Sequence, residues 1–542
     1  MTDARAVDDA DGRLWDVAII GSGIGGGTAA LALARSGKSV ILLERGRLYA
    51  GNPEVIHNDL ESRLLRVRDA QSRVELFKNA GRLWDVIDDI TRASPISFQP
   101  HLGNAVGGSS SVYGMAFERF HPQDFSPGDL DCAAAGANVP AQWPIAYADL
   151  AAHYPEAERL YRVRGTPDPL GARDYAPDYL APPPLSPANA EIVALLRTNG
   201  LHPYHQPMAC EYVAGCRECL GFICPANCKG DSYSRCVEPA IRDFGAQLLD
   251  DCEVVHLEAN RTAVTAVHCN HRGILRVVKA RTVVLSAGAL QTPALLLRSR
   301  SDGWPDGLAN RHDQVGRNLM KHFIDYYFVR PTQAPREGEL TKQISFNDFY
   351  VHGTVKLGNV QSLGPTPSGD AAARQFEKGL SQTRPRMRFL LPLLRPFARQ
   401  MARRIVRDTL VFAGILEDLP YAENRVTYDC ARQRICLAYH IHDEARRRIA
   451  EFRSLCLAAF RPLPTRLVRR AHDSWILGHQ VGTCRFGTSP RDSVLDRFCR
   501  AHELDNLFVV DGSFMPTSGG INPSLTIAAN ALRVAAAIGS GS

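Results

Sequence analysis

WDVAIIGSGIGGGTAALALARSGKSVILLE, residues 15–44, is the stretch that decides the fold. It opens with a short apolar run of β-type residues, passes through a glycine-rich turn and continues in small apolar residues spaced for a buried helix. A second apolar run, SVILLE, closes the unit at Glu44. Gly21, Gly23 and Gly26 stand at the GxGxxG positions, where the missing side chain permits the tight turn, the approach of a pyrophosphate and close helix packing. The free N–H groups and positive dipole of the helix start then face the phosphate. Glu44, 18 residues past Gly26, is placed to accept hydrogen bonds from an adenosine ribose, and an acid there disfavours a 2'-phosphate. Strand, turn, helix, strand and terminal acid together predict a dinucleotide site, for FAD or NAD.

A second glycine-rich segment chooses between them. In GNAVGGSSSVYG, residues 103–114, Gly107 and Gly108 would let backbone lie against a flat ring system, while Ser109 and neighbouring amides donate to its polar edge. Further strands of nucleotide-binding type recur in RTVVLSAGA and NLFVVDGS, far along the chain, so the nucleotide fold is expected to be discontinuous.

Residues 103–114 resemble the flavin-contacting segment of the glucose-methanol-choline (GMC) oxidoreductases, and VVLSAGALQTPALLLRS, 283–299, is similar to that family's second signature. Near the C-terminus, ILGHQVGTCRFG and GGINPSLTI resemble its catalytic region, in which a histidine precedes x-x-Gly-Thr and a second His or Asn follows in a later loop. His479 matches the first position and Asn522 the second; Asp511, in VVDGS, resembles the family acid near the flavin ribityl chain. Four motifs in family order cover nearly the whole chain. The fold class implied is mixed α/β: a Rossmann-like FAD-binding domain in pieces (1–144, 241–324 and 476–542), and a substrate domain built on an antiparallel sheet covered by helices (145–240 and 325–475). FAD is the expected cofactor, and alcohol oxidation the expected reaction.

The residue types suit that chemistry. A neutral alcohol is a poor hydride donor and an alkoxide a good one, so a base must take the hydroxyl proton as hydride leaves carbon. Histidine does this near neutral pH. An amide such as that of Asn522 can hold the alcohol oxygen in line. Cys484, in GTCRFG, puts a thiol near the base, read as a small buried hydrophobe unless it titrates. Two alternatives stay open: a lyase on the same scaffold with FAD in a structural role, and a membrane-docked sugar dehydrogenase passing electrons through an iron–sulfur cluster.

Seven cysteines, Cys210, Cys216, Cys219, Cys224, Cys228, Cys236 and Cys252, crowd into 43 positions. Cys224 is followed by proline, a habit of iron–sulfur sites. Four thiolates could equally close a tetrahedral zinc site. Cys210, Cys216, Cys219 and Cys224 are the candidate ligands, but the spacing differs from that of iron–sulfur members of the family, and packed free thiols without metal are the favoured expectation. The pattern CLGFIC followed by CKGDS also resembles GMC dehydrogenases of aminoglycoside biosynthesis, which oxidise the 6'-hydroxyl of an aminosugar. On that reading carboxylates should meet substrate ammonium groups, and Glu417 and Asp418 are the candidates.

Composition bounds the partners. The 542 residues carry 63 basic and 57 acidic side chains, a net charge of +6 that is too slight for a nucleic-acid surface. A small-molecule alcohol is the expected partner, with oxygen or another acceptor receiving the electrons. The opening MTDARAVDDADGRL lacks the basic start and apolar run of a secretory signal, so the cytoplasm is the default compartment. Residues 383–408 carry eight arginines interleaved with apolar residues, a pattern able to lie on an anionic membrane, although a solvated or acid-paired helix is expected in preference and membrane contact is not.

Overall fold

The computed structural model describes residues 12–64, 66–130, 136–172, 174, 176–336, 338–364, 400, 408–472 and 477–540. Almost all of the arginine-rich 383–408 segment lies outside them.

Strand Leu14–Ile20, helix Ile24–Arg35 and strand Val40–Leu43 form the expected unit. Val40–Leu43 is buried on both faces, as an apolar strand inside a parallel sheet must be. Five strands run parallel here, in the order Gln247–Leu249, Val40–Leu43, Leu14–Ile20, Ile274–Leu285 and Leu507–Val509. The long strand Ile274–Leu285 serves twice: its start pairs antiparallel with Val264–His271, and its end carries Leu507–Val509. The glycine helix packs against the C-terminal helix Ser524–Ser540, sealing one face with alanines and leucines.

A second sheet is wholly antiparallel, in the order Thr465–Val468, Phe323–Val329, Leu410–Leu416, Gly358–Ser362, Ile344–Phe346 and Tyr204–His205. Phe323–Val329 alternates buried and half-buried residues, the signature of a sheet with unlike faces. Helix Asp443–Ala459 covers this sheet, with Ile449, Phe452 and Cys456 buried.

Two stretches sit elsewhere than the sequence boundaries suggest. Trp143 to Val163 packs in the core of the nucleotide-type sheet: Tyr161 Oη lies 2.9 Å from Thr28 Oγ1 on the glycine helix, and Tyr154 Oη 2.9 Å from Thr526 Oγ1 on the C-terminal helix. Conversely, Ile87–Asp89 joins strand Arg434–Ala438 and the core of the second layer. Apolar contact, not chain order, assigns these segments to layers. Among the described residues no helix is long and apolar enough to cross a membrane.

Within the turn the glycines have unequal duties. A Cβ on Gly26 would lie 2.0 Å from Gly21 O, whereas one on Gly23 would meet nothing within 4 Å. Gly26→Ala should therefore lose about 3 kcal/mol of stability through overpacking. Gly23→Ala should stay within about 1 kcal/mol of the parent, since only a cap position changes, yet retain the dinucleotide poorly. Urea unfolding and cofactor content after gel filtration read the two effects separately.

Candidate active site

The glycine turn is fastened by Glu44. Its Oε2 accepts from Ser22 N (2.9 Å) and Ser22 Oγ (2.7 Å), and its Oε1 accepts from Gly46 N (2.7 Å). Glu44 thus braces the turn itself, a role its position at the strand end did not announce. Ser22 Oγ in turn accepts from Gly107 N at 2.9 Å, tying the two glycine-rich segments together. Gly107 and Gly108 adopt φ of 100° and 57°, and a Cβ on Gly108 would sit 2.8 Å from Gly23 Cα. Ser109, next along, is exposed. Asp511 ties the last parallel strand to the turn after Leu285: Oδ2 accepts from Gly288 N (2.9 Å) and Thr292 Oγ1 (2.5 Å), and Oδ1 from Ser513 N (2.9 Å).

These residues fit a bound dinucleotide. Helix Ile24–Arg35 has no side-chain cap at Gly23, so its first N–H groups are free for a phosphate. Gly23 faces open space, and the buried hydroxyl of Ser286, beside Gly25 and Gly26, has no partner.

His479 and Asn522 meet: Asn522 Nδ2 lies 3.0 Å from His479 Nε2. His479 is set in place by a short antiparallel pairing in which Met320 and Val481 exchange N–H···O bonds of 3.0 Å each. Gly482 makes the close approach with φ of 93°; a Cβ there would strike Asn318 O at 2.4 Å. The same pairing brings in a residue that sequence reasoning missed. His322 Nδ1 lies 2.8 Å from His479 Nδ1, and His322 Nε2 lies 2.8 Å from Gly519 O and 3.2 Å from Ser518 O.

The proton positions follow. Carbonyl oxygens only accept, so His322 Nε2 carries the hydrogen, and in a neutral ring its Nδ1 holds a lone pair. His479 Nδ1 must then donate to it. Its Nε2 is left as the lone-pair nitrogen, aimed at the amide of Asn522. Burial, then the neighbouring His322 and Lys342, hold His479 well below the usual histidine range. Burial likewise holds His322 at about 4, against the opposing pull of the Gly519 and Ser518 carbonyls.

Behind the pair, Glu417 and Asp418 prop up the loop that carries Asn522. Glu417, 1 % exposed, accepts from Lys356 Nζ at 2.8 Å; Lys356 also pairs with Asp124, which accepts from Tyr350 Oη at 2.8 Å, and Tyr350 Oη accepts from Gly520 N at 2.9 Å. Asp418 accepts from Tyr439 Oη (2.6 Å) and Lys321 N (3.1 Å), while Asp418 N and Ser518 Oγ are 3.0 Å apart. Both acids are enclosed, Glu417 with its Oε2 lacking a hydrogen-bond partner, and neither is among the residues that line the cavity beside Glu118. Glu118 and Asp168 line a cavity of about 250 Å³, with His121, Tyr147 and Tyr179. Burial and Asp168 push Glu118 up to about 8. Cys484 is fully buried in the nucleotide-side core. Cys210, Cys216, Cys219, Cys224 and Cys228 gather in a small core of their own, whereas Cys236 lies against Tyr161 and Cys252 faces Cys269.

Residues 181–324 and 420–531 match the family models of the GMC oxidoreductases, and residues 16–102 match that of the FAD-dependent oxidoreductases. The chain is 30% identical to paromamine 6'-oxidase of Streptomyces fradiae and 29% identical to 6'''-hydroxyparomomycin C oxidase of Streptomyces lividus, each alignment covering 97% of this chain and 92% of the relative. A crystal structure of pyridoxine 4-oxidase from Mesorbium loti superposes with a TM-score of 0.64 at 19% identity, over 96% of this chain and 98% of that one.

A neutral, buried His322 contributes stability in full above pH 6.5, where the unfolded ring is neutral too. The contribution drains as pH falls toward about 4, because the unfolded state takes up the proton first. It should amount to on the order of 3 kcal/mol across that window. Denaturant midpoints of the wild type and His322→Phe between pH 7 and 4 check this: the variant's profile should be visibly flatter.

Proposed function

The chain belongs to the GMC oxidoreductase family, whose members are FAD-dependent alcohol oxidoreductases, and we propose that it oxidises a primary hydroxyl of an aminosugar with His479 as the base. The observation that carries the assignment of the base is the lone pair left on His479 Nε2 by the hydrogen-bond chain from Ser518 and Gly519 through His322.

FAD, when bound, supplies the acceptor for the hydride, and Gly21, Gly23, Gly26, Gly107, Gly108, Ser109, Glu44 and Asp511 are the residues that hold or shape its place. The chain's own side chains do the proton work. An arriving alcohol inserts between the two side chains now in contact: its O–H points at His479 Nε2 and its oxygen accepts from Asn522 Nδ2. His479, kept neutral by its surroundings, takes the hydroxyl proton without first having to lose one. The imidazolium so formed then faces the oxygen on which negative charge develops, an electrostatic gain made only during reaction. Asn522 is prepared for this: its Oδ1 is buried without a partner, and its Nδ2 is held in place by the histidine until the substrate replaces it.

The aminosugar substrate is supported by the two relatives named for paromamine and hydroxyparomomycin C, aligned over nearly the whole chain. Asp168, which lines the cavity, is in keeping with a cationic substrate, whereas Glu118, pushed up to about 8, is uncharged at neutral pH.

Anaerobic mixing with paromamine should bleach the flavin, and a simple alcohol without ammonium groups should do so more slowly. Turnover without bleaching would instead mean acid–base chemistry with no redox step. His479→Ala should slow bleaching by about 10²–10⁴-fold while FAD content stays unchanged. If the variant reduces its flavin at the parent rate, the assignment of the base fails.

A further inference from the structure

The segment from Ala209 to Gly230 is folded almost without helix or strand, yet it is stitched tightly beneath the turn that follows Gly108. Ala209 N donates to Met115 O (2.9 Å), Gly221 N to Val112 O (2.8 Å) and Tyr113 Oη to Gly230 O (2.6 Å). Its core contains more cysteine than any other apolar residue: Cys210, Cys219, Cys224 and Cys228 are buried, with Cys216 at their side. So small an apolar centre is poor anchorage for a loop of this length.

The sulfurs are arranged as ligands. Cys210, Cys216 and Cys228 place their Sγ atoms all within 4.8 Å of one another, with Cys210 to Cys216 at 3.7 Å and Cys216 to Cys228 at 3.3 Å. Cys224 Sγ stands 3.4 Å from that of Cys228 but outside the mutual spacing of the other three, so its side chain must turn inward to complete a set of four. Four thiolates about 2.3 Å from one tetrahedral ion lie about 3.8 Å apart. A polynuclear iron–sulfur cluster carries its thiolates on different irons and spreads them much further.

Backbone and charge agree with the spacing. The N–H of Tyr212 points at Cys210, that of Glu218 at Cys216 and that of Ala226 at Cys224, the same two-residue step each time. Tyr212 and Glu218 hold left-handed φ of 49° and 48° in doing so. N–H groups aimed at sulfur favour the thiolate. Two lysines beside the cluster are almost wholly buried, Lys229 at 1 % exposure and Lys342 at 2 %. Their ammonium groups donate only to backbone carbonyls, Lys229 to Tyr113 O (2.9 Å) and Phe222 O (3.1 Å), Lys342 to Gly114 O. Two buried acids lie close by and act on the ammonium groups through space without accepting a hydrogen bond from them: Asp231, which accepts from Tyr49 Oη at 2.6 Å, and Glu218, which accepts from Thr341 N at 2.7 Å and Lys342 N at 2.9 Å. A buried cation needs a counter-charge.

Against the sequence expectation of packed free thiols, we propose that Cys210, Cys216, Cys224 and Cys228 hold one thiophilic divalent ion of the zinc class, with Cys219 beside Cys224 outside the ligand set. Four thiols release four protons on binding, so thiolates and ion together carry two negative charges, which the two ammonium groups offset. No electron is transferred. The ion serves as a clamp that fixes the loop under Tyr113 to Met115.

The test is elemental analysis of the untagged holoenzyme, produced with zinc and iron both supplied and purified without chelator. About one zinc per chain and no acid-labile sulfide are expected. Cys216→Ser and Cys228→Ser should each lower zinc content at least about tenfold with flavin absorbance retained. Should those variants not fold, wild-type protein from cobalt-supplemented cells keeps the proposal open to refutation, since tetrahedral thiolate cobalt shows strong bands at the red end of the spectrum, clear of oxidised flavin. Iron accompanied by sulfide, a disulfide among these cysteines in the intact mass, metal-free protein with every thiol reactive, or cobalt-grown protein lacking those bands would each overturn it.

Discussion

One hydrogen bond between two imidazoles organises the working end of this enzyme. His322 and His479 face each other through their Nδ1 atoms, and a single proton must lie between them. Only because Ser518 and Gly519 present carbonyls to the far side of His322 is the direction of that proton settled. Much of the surrounding architecture keeps this arrangement in register: the Met320–Val481 pairing sets the two rings side by side, and the Lys356, Tyr350 and Asp418 contacts hold the loop that supplies both the carbonyls and Asn522. The His479 ring is thus set by geometry and enclosure, and among the described residues no carboxylate is hydrogen-bonded to it.

Division of labour between the two sheets follows from their hydrogen-bonding. The parallel sheet ends in turns rich in glycine, where backbone can come close to a dinucleotide and a helix start is left uncapped. The antiparallel sheet presents unlike faces and is covered by helix Asp443–Ala459. His322, one residue before the strand Phe323–Val329 of that layer, reaches back to a histidine in the loop leading to the parallel sheet. The two histidines and Asn522 are therefore brought together where the layers meet.

Legibility in the sequence tracked the range of the interaction. The glycine turn could be read because each duty lies within a few residues of the next, and His479 and Asn522 because each sits in a local pattern that resembles a known one. His322 left no such trace: it acts on a partner 157 residues away, and among 17 histidines nothing local sets it apart. Glu417 and Asp418 read as candidate partners for substrate ammonium groups because Lys356 and Tyr439, which enclose them, are distant in the chain or carry no signal of pairing. Glu44 was placed correctly at its strand end, but the serine it grips lies on the other side of the helix in sequence. Layer membership of Trp143 to Val163 depended on apolar contacts with two helices, which no boundary in composition marks.

The strand Leu507–Val509, which completes the parallel sheet, pairs with residues more than two hundred positions earlier. That strand can dock on the nucleotide half only after the residues between Leu285 and Leu507 have been made, and such distant pairing is slow to nucleate. His479, Asp511 and Asn522 all arrive in that same final stretch. A chain made only as far as Leu285 consequently has neither the last strand of the parallel sheet nor the histidine and asparagine that meet at the proposed site.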